Sequence, residues 1–97
     1  MLVYLAGPIT AKDGFTLEQN IEAALEVYFR LVKANVRVLC THGTAGHPQA
    51  RTIPEATWVA LGCAMIDVCT HVLMLPRWET SDGARREQEH ARAACKF

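Results

Sequence analysis

The densest run of chemically capable side chains is LPRWETSDGARREQEHA, from Leu75 to Ala91. Ser81 and Asp82 precede Gly83 where a helix is expected to open. The first N–H groups of a helix have no partner inside it, so such an opening attracts an anion or a polar oxygen. Glu87 stands four residues beyond Gly83, about one helical turn in, so its carboxylate can share the face of the opening. The segment reads as a binding cradle with a reactive acid beside it. On the residues alone it also reads as a capped surface helix with ordinary charges. Trp78, in the loop before it, offers a flat face on which a base could stack.

A second segment, YLAGPIT, runs from Tyr4 to Thr10. Gly7 lets the backbone approach a ligand closely, and Pro8 stiffens the turn. Tyr4, near the end of the strand before them, either presents its hydroxyl to a site or is simply buried. The spacing is neither a dinucleotide fingerprint nor a Walker loop. His42 and His47 read as surface-loop residues. A zinc site from Cys40, His42 and His47 would lack a fourth ligand at standard spacing, so no metal is expected. None of Cys40, Cys63, Cys69 and Cys95 forms a C-x-x-C pair, and reduced thiols are expected.

These segments need elements to position them. Met1 to Ala6 is an apolar run stopped by Gly7-Pro8, which reads as a buried strand. Leu17, Ile21, Ala24, Leu25, Tyr28, Phe29 and Val32 fall at helical spacing behind Thr16 as N-cap, with Asn35 as the left-handed residue after the helix. Val36 to Cys40 is a second strand, and Thr41 to Arg51 a polar loop. A second helix opens at Thr52 or Ile53, with Pro54 in its first turn, and runs to about Val68. Its buried side is expected to hold Trp58, Leu61, Met65 and Ile66. His71 to Leu75 is a third strand, Arg77 to Gly83 a loop, and Ala84 to about Cys95 a third helix. Lys96-Phe97 could begin a fourth strand.

The order β-α-β-α-β-α implies a small three-layer α/β/α domain, 1–97, with a flavodoxin-like parallel sheet and right-handed crossovers. Ligands of such sheets bind beyond the carboxyl ends of the strands. The two chemical segments both lie there.

Composition excludes several partners. The 97 residues form one domain, and ten Lys and Arg balance ten Asp and Glu, so no net field draws the chain to a nucleic acid polymer or an anionic membrane. No apolar stretch approaches a membrane span, and the amino terminus reads as a strand and not a signal peptide; a cytoplasmic location is expected. A small sheet with open edges and apolar helix faces is expected to form a homodimer.

YLAGPIT, Asn20 on the first helix and LPRWETSDGARREQEHA together resemble the small phage and bacterial proteins of the DUF4406 family. These are similar to nucleoside 2-deoxyribosyltransferases and deoxynucleoside 5′-monophosphate glycohydrolases. The sharpest part is W-E-x-S-x-G-A-x-x-E, satisfied by Trp78, Glu79, Ser81, Gly83, Ala84 and Glu87. The resemblance implies cleavage or transfer at the N-glycosidic bond of a deoxynucleoside or its 5′-monophosphate, without cofactor. It implies Glu87 as nucleophile on C1′ and Tyr4 beside it. Gly7, Pro8, Asn20, Trp78, Ser81 and Gly83 would contact the ligand. Ser81, where transferases carry Asp, points to a monophosphate, because a hydroxyl can donate to phosphate. Asp82 is the preferred proton donor to the leaving base, ahead of Glu79 and Asp67. The chain departs from relatives at Arg77, Thr70, Asn35 and Cys95, and at Gly62, where an acid is expected, and it would be shortened relative to larger superfamily members. Those departures leave open a non-catalytic nucleotide-binding or sequestering module, or a protein that kept only the fold.

Overall fold

The structure, a computed structural model, describes residues 1–96. Its elements in chain order are β1 (Leu2–Ala6), α1 (Leu17–Lys33), β2 (Arg37–Leu39), α2 (His42–Ala45), α3 (Glu55–Val68), β3 (His71–Met74) and α4 (Asp82–Ala93), with 3-10 turns at Pro48–Thr52 and Trp78–Thr80. The sheet order is β2-β1-β3, and both neighbours run parallel to β1. The chain steps from β1 outward to β2, then returns across β1 to β3. That reversal opens a crevice at the carboxyl end of β1.

Side chains alternate along β1 and divide the core into two. Val3 and Leu5 face one layer with Ala24 of α1, Val38 and Leu75. Tyr4 and Ala6 face the other, with Ile66 of α3, Cys69 and Ala91 of α4. The result is the α/β/α sandwich of a flavodoxin-like layout.

Local signals set the helix ends. Thr16 Oγ1 accepts from Gln19 N at 3.0 Å while Gln19 Oε1 accepts from Thr16 N at 2.9 Å, a reciprocal cap that fixes where α1 begins. Asn35 takes φ 62, and Val36 N donates back to Leu31 O at 2.9 Å. Cys95 repeats this after α4 with φ 57 and Lys96 N donating to Ala91 O at 2.9 Å. Both are left-handed closures of the kind that favours glycine, made here by Asn35 and Cys95.

Several expectations need correction. Thr41 to Arg51 is not a plain loop: it folds into α2 and part of a 3-10 turn. The third helix opens at Asp82, two residues before Ala84, because Ser81 caps it by accepting from Ala84 N at 3.2 Å. Pro54 is the N-cap of α3 and not a residue of its first turn. Leu61 is exposed, as are Phe29 and Val32 on α1, because each helix buries only a narrow stripe against so short a sheet. Lys96 is not in a strand, and Phe97 lies outside the described residues. No helix among the described residues is long and apolar enough to cross a membrane.

Candidate functional site

The site begins on β1. Strand alternation places Tyr4 in the layer shared with α3 and α4, where it is buried. Its hydroxyl donates to Glu87 Oε2 at 2.6 Å. Glu87 is only 9% exposed, so this is a carboxyl group held inside the protein. Burial is the main cause that raises its pKa, from the ordinary 4.5 to about 7, and the Tyr4 hydrogen bond opposes the rise. Tyr4 is itself held well above its ordinary range, first by burial and then by the negative charge of Glu87.

Gly62 explains how an acid fits there. A Cβ at residue 62 would stand 1.9 Å from Glu87 Oε2 and 2.7 Å from the Tyr4 hydroxyl. The pair occupies the volume that any other side chain on this turn of α3 would need. The acid expected at this position is therefore absent for a steric reason visible in the fold. Cys63, next to it, has its thiol pushed up by burial and then by the charge of Glu87.

Glu87 opens onto a cavity of about 500 Å³ at the carboxyl ends of the strands. Gly7, Thr41, Trp58, Ser81 and Gly83 are among its walls, with Glu55 and Arg51 as its other charged residues. Trp58 is held by its own Nε1, which donates to Ala50 O at 3.3 Å. The cavity thus combines an indole wall, a hydroxyl at a helix start and a buried acid. That composition suits a small ligand with an aromatic part and a polar part.

The expected residues divide. Glu87, Tyr4, Ser81, Gly83 and Gly7 are brought together. Gly7 is required less by a ligand than by packing, since a Cβ there would lie 2.7 Å from Leu75 Cβ. Trp78 does not line this cavity; Trp58 does. Pro8 and Asn20 line a separate cavity of about 270 Å³ across the β1 loop. Asn20 is buried and donates to Ile9 O at 3.2 Å and Thr10 O at 3.1 Å, so it shapes the loop. Asp82 faces Arg85 in an exposed ion pair outside the cavity, and Asp67 faces His90 at 2.7 Å. Glu79 is exposed and also outside it.

His42 is no surface residue. It is 1% exposed, and its Nε2 donates to Pro8 O at 3.1 Å, pinning the Gly7-Pro8 turn to α2. Burial lowers its pKa, against the opposing pull of the Pro8 and Gly7 carbonyls. Among the described residues no cluster of three metal-ligating side chains exists. Trp58 reads in the sequence as a core residue and Glu55 as a plain helix-start acid, because an aromatic at helical spacing and an acid in a first helical turn are ordinary.

The family model described as a domain of unknown function, DUF4406, matches residues 1–96. No curated protein and no solved structure matches the chain.

Proposed function

The chain belongs to the DUF4406 family, and from its site we propose that it cleaves or transfers at the N-glycosidic bond of a deoxynucleoside or deoxynucleoside 5′-monophosphate, with Glu87 as nucleophile. One observation carries the reading: a buried carboxyl group, hydrogen-bonded by Tyr4 at 2.6 Å, opening on a cavity at the switch point of the sheet. The resemblance to nucleoside 2-deoxyribosyltransferases gives that carboxyl group its role.

The chemistry follows from the side-chain geometry. Tyr4 engages Oε2 alone, which leaves Oε1 to attack C1′. As the C1′–N bond breaks, its electron pair leaves with the base, which takes a proton from water at the cavity mouth and leaves hydroxide there. Positive charge gathers on the sugar and is captured as a glycosyl ester of Glu87. That hydroxide then cleaves the ester in hydrolysis, or takes the proton that a second base loses as it displaces Glu87 in transfer, and the Glu87 carboxylate is restored. Gly7 and Ser81 bound the sugar, and Trp58 offers the base a stacking wall. The pKa near 7 keeps a usable fraction of Glu87 ionised at neutral pH.

The test is incubation with the common deoxynucleosides and their monophosphates, followed by chromatography for free base. Base release is expected to rise through about pH 7 as Glu87 ionises, and Glu87→Ala should abolish it. Undiminished release by that variant removes Glu87 from the reaction. A second reading, non-catalytic nucleotide binding, draws on Gly62 standing where an acid was expected and Asp82 turning to Arg85. Saturable binding without base release would select it. The open edges of β2 and β3, with Val68 and Leu73 exposed, support a homodimer, to be read by sedimentation.

A further inference from the structure

We infer that Glu55 makes this site select a free 5′-hydroxyl over a 5′-phosphate, so that the ligand is the deoxynucleoside and not its monophosphate. This deepens the nucleoside reading above and rests on it. Ser81 alone argued for phosphate; its surroundings argue otherwise.

Glu55 sits in the first turn of α3 and lines the same cavity as Glu87. Its Oε1 lies 3.5 Å from the point a Cβ on Gly83 would occupy, and Ser81 Oγ lies 3.9 Å from that point. The chain's own carboxylate therefore already stands at the opening of α4, where free N–H groups would otherwise draw a phosphate. Among the described residues the side-chain ion pairs are Arg85–Asp82 and His90–Asp67, so Glu55 has no cation in direct contact. Arg51 also lines the cavity, on the 3-10 turn Pro48–Thr52, but is not paired with Glu55.

The hydrogen-bonding capacities agree. Ser81 Oγ accepts from Ala84 N at 3.2 Å, which leaves its O–H free to donate. Glu55 can only accept. A donor and an acceptor that flank one point at the opening of α4, at 3.9 and 3.5 Å from it, match a hydroxyl, which does both. An ionised phosphate offers acceptors alone and would meet the Glu55 carboxylate in repulsion.

The experiment is calorimetric titration of the protein with the four common deoxynucleosides and their 5′-monophosphates, with base release followed in the same mixtures. At least one deoxynucleoside is expected to bind about tenfold tighter than its own monophosphate. Glu55→Gln, an exposed change that the fold tolerates, should narrow that ratio about tenfold by tightening the monophosphate, and Glu55→Asp should preserve the preference. A monophosphate preferred by the unaltered protein, or a ratio unmoved in Glu55→Gln, overturns the inference and leaves the N-glycosidic reading standing. Selective nucleoside binding without base release does the reverse: it keeps the inference and overturns catalysis. Binding of none of these ligands overturns both.

Discussion

Alternate residues of β1 face opposite layers, and the two layers use burial differently. On the α1 side, Val3 and Leu5 pack in an apolar cluster, and burying their side chains costs nothing in hydrogen bonds. On the other side, Tyr4 meets a carboxyl group beneath a glycine. That second layer holds an acid which stays comfortable inside the protein only while protonated. One strand, with residues one position apart, thus carries both the plain core and the partner of the buried acid. The difference teaches where apolar packing and an ionisable group are separated: the α1 layer anchors β1, and the α3–α4 layer holds a group at odds with its surroundings.

The largest expected effect belongs to the plain side. Leu5 is fully buried, so Leu5→Ala should cost about 2–5 kcal/mol in urea unfolding, by about the same amount at every pH between 4 and 8. Glu87→Gln should behave in the opposite way. Between pH 4.5 and about 7 the folded chain keeps a proton on Glu87 that the unfolded chain has released. Stability therefore falls as pH rises through this window and levels off above it, a loss of about 3 kcal/mol for this group. Gln cannot ionise yet still accepts from Tyr4. The variant should match the parent near pH 4 and exceed it above pH 7 by about 3 kcal/mol. A Leu5→Ala deficit that varied with pH, or parallel pH curves for parent and Glu87→Gln, would erase the contrast between the layers.

Gly62→Ala sharpens the same contrast with a smaller effect. Alanine gains about 1 kcal/mol over glycine inside a helix. Against this, its Cβ cannot coexist with Glu87 Oε2 where it stands, and overpacking a core costs about 1–3 kcal/mol. The net loss should be about 1 kcal/mol, modest because the carboxyl end of Glu87 can swing away. The displaced acid is the more telling result. Its pKa should fall toward the ordinary range once it leaves the buried position, and the pH dependence of stability should flatten. A Gly62→Ala protein that kept the full pH dependence would mean the pair moves as a unit, and that the glycine is not what admits the acid.

Much of this fold was legible beforehand. The apolar run before Gly7-Pro8, the cap at Thr16 and the turn residue Asn35 are local signals, and each marks a true boundary. Glu87, Ser81 and Gly83 were legible because they lie within the opening two turns of one helix and its cap. Glu55 and Trp58 were not, because only the crossover from β2 to β3 brings the opening of α3 beside that of α4. His42 was misread for the same reason: its partner, Pro8, is distant in sequence. Asp82 was favoured for closeness along the chain, yet the first turn of α4 directs it toward Arg85. Proximity in sequence predicts a shared helix, not a shared face.

The smallest expected effect concerns the loop that joins the two layers at the carboxyl end of β1. Arg77 stands at φ 67, a left-handed conformation that costs a non-glycine residue about 1 kcal/mol. It is held by Nη2 donating to Asn20 Oδ1 at 2.7 Å and by its guanidinium stacked 3.4 Å over the Phe15 ring. Arg77→Gly relieves the first cost and forfeits both contacts, so overall stability should change by less than about 1 kcal/mol. Mobility should change more. The Lys12 and Phe15 amides bond each other's carbonyls at 3.0 Å within the loop that Arg77 clamps. Their hydrogen exchange should quicken in Arg77→Gly while the amides of β1 stay unchanged. Ile9, Thr10 and Ala11 of that loop wall the cavity, so its loosening should weaken ligand binding without touching Glu87. Exchange unchanged at Lys12 and Phe15 would show that Asn20 alone, through Ile9 and Thr10, holds the wall in place.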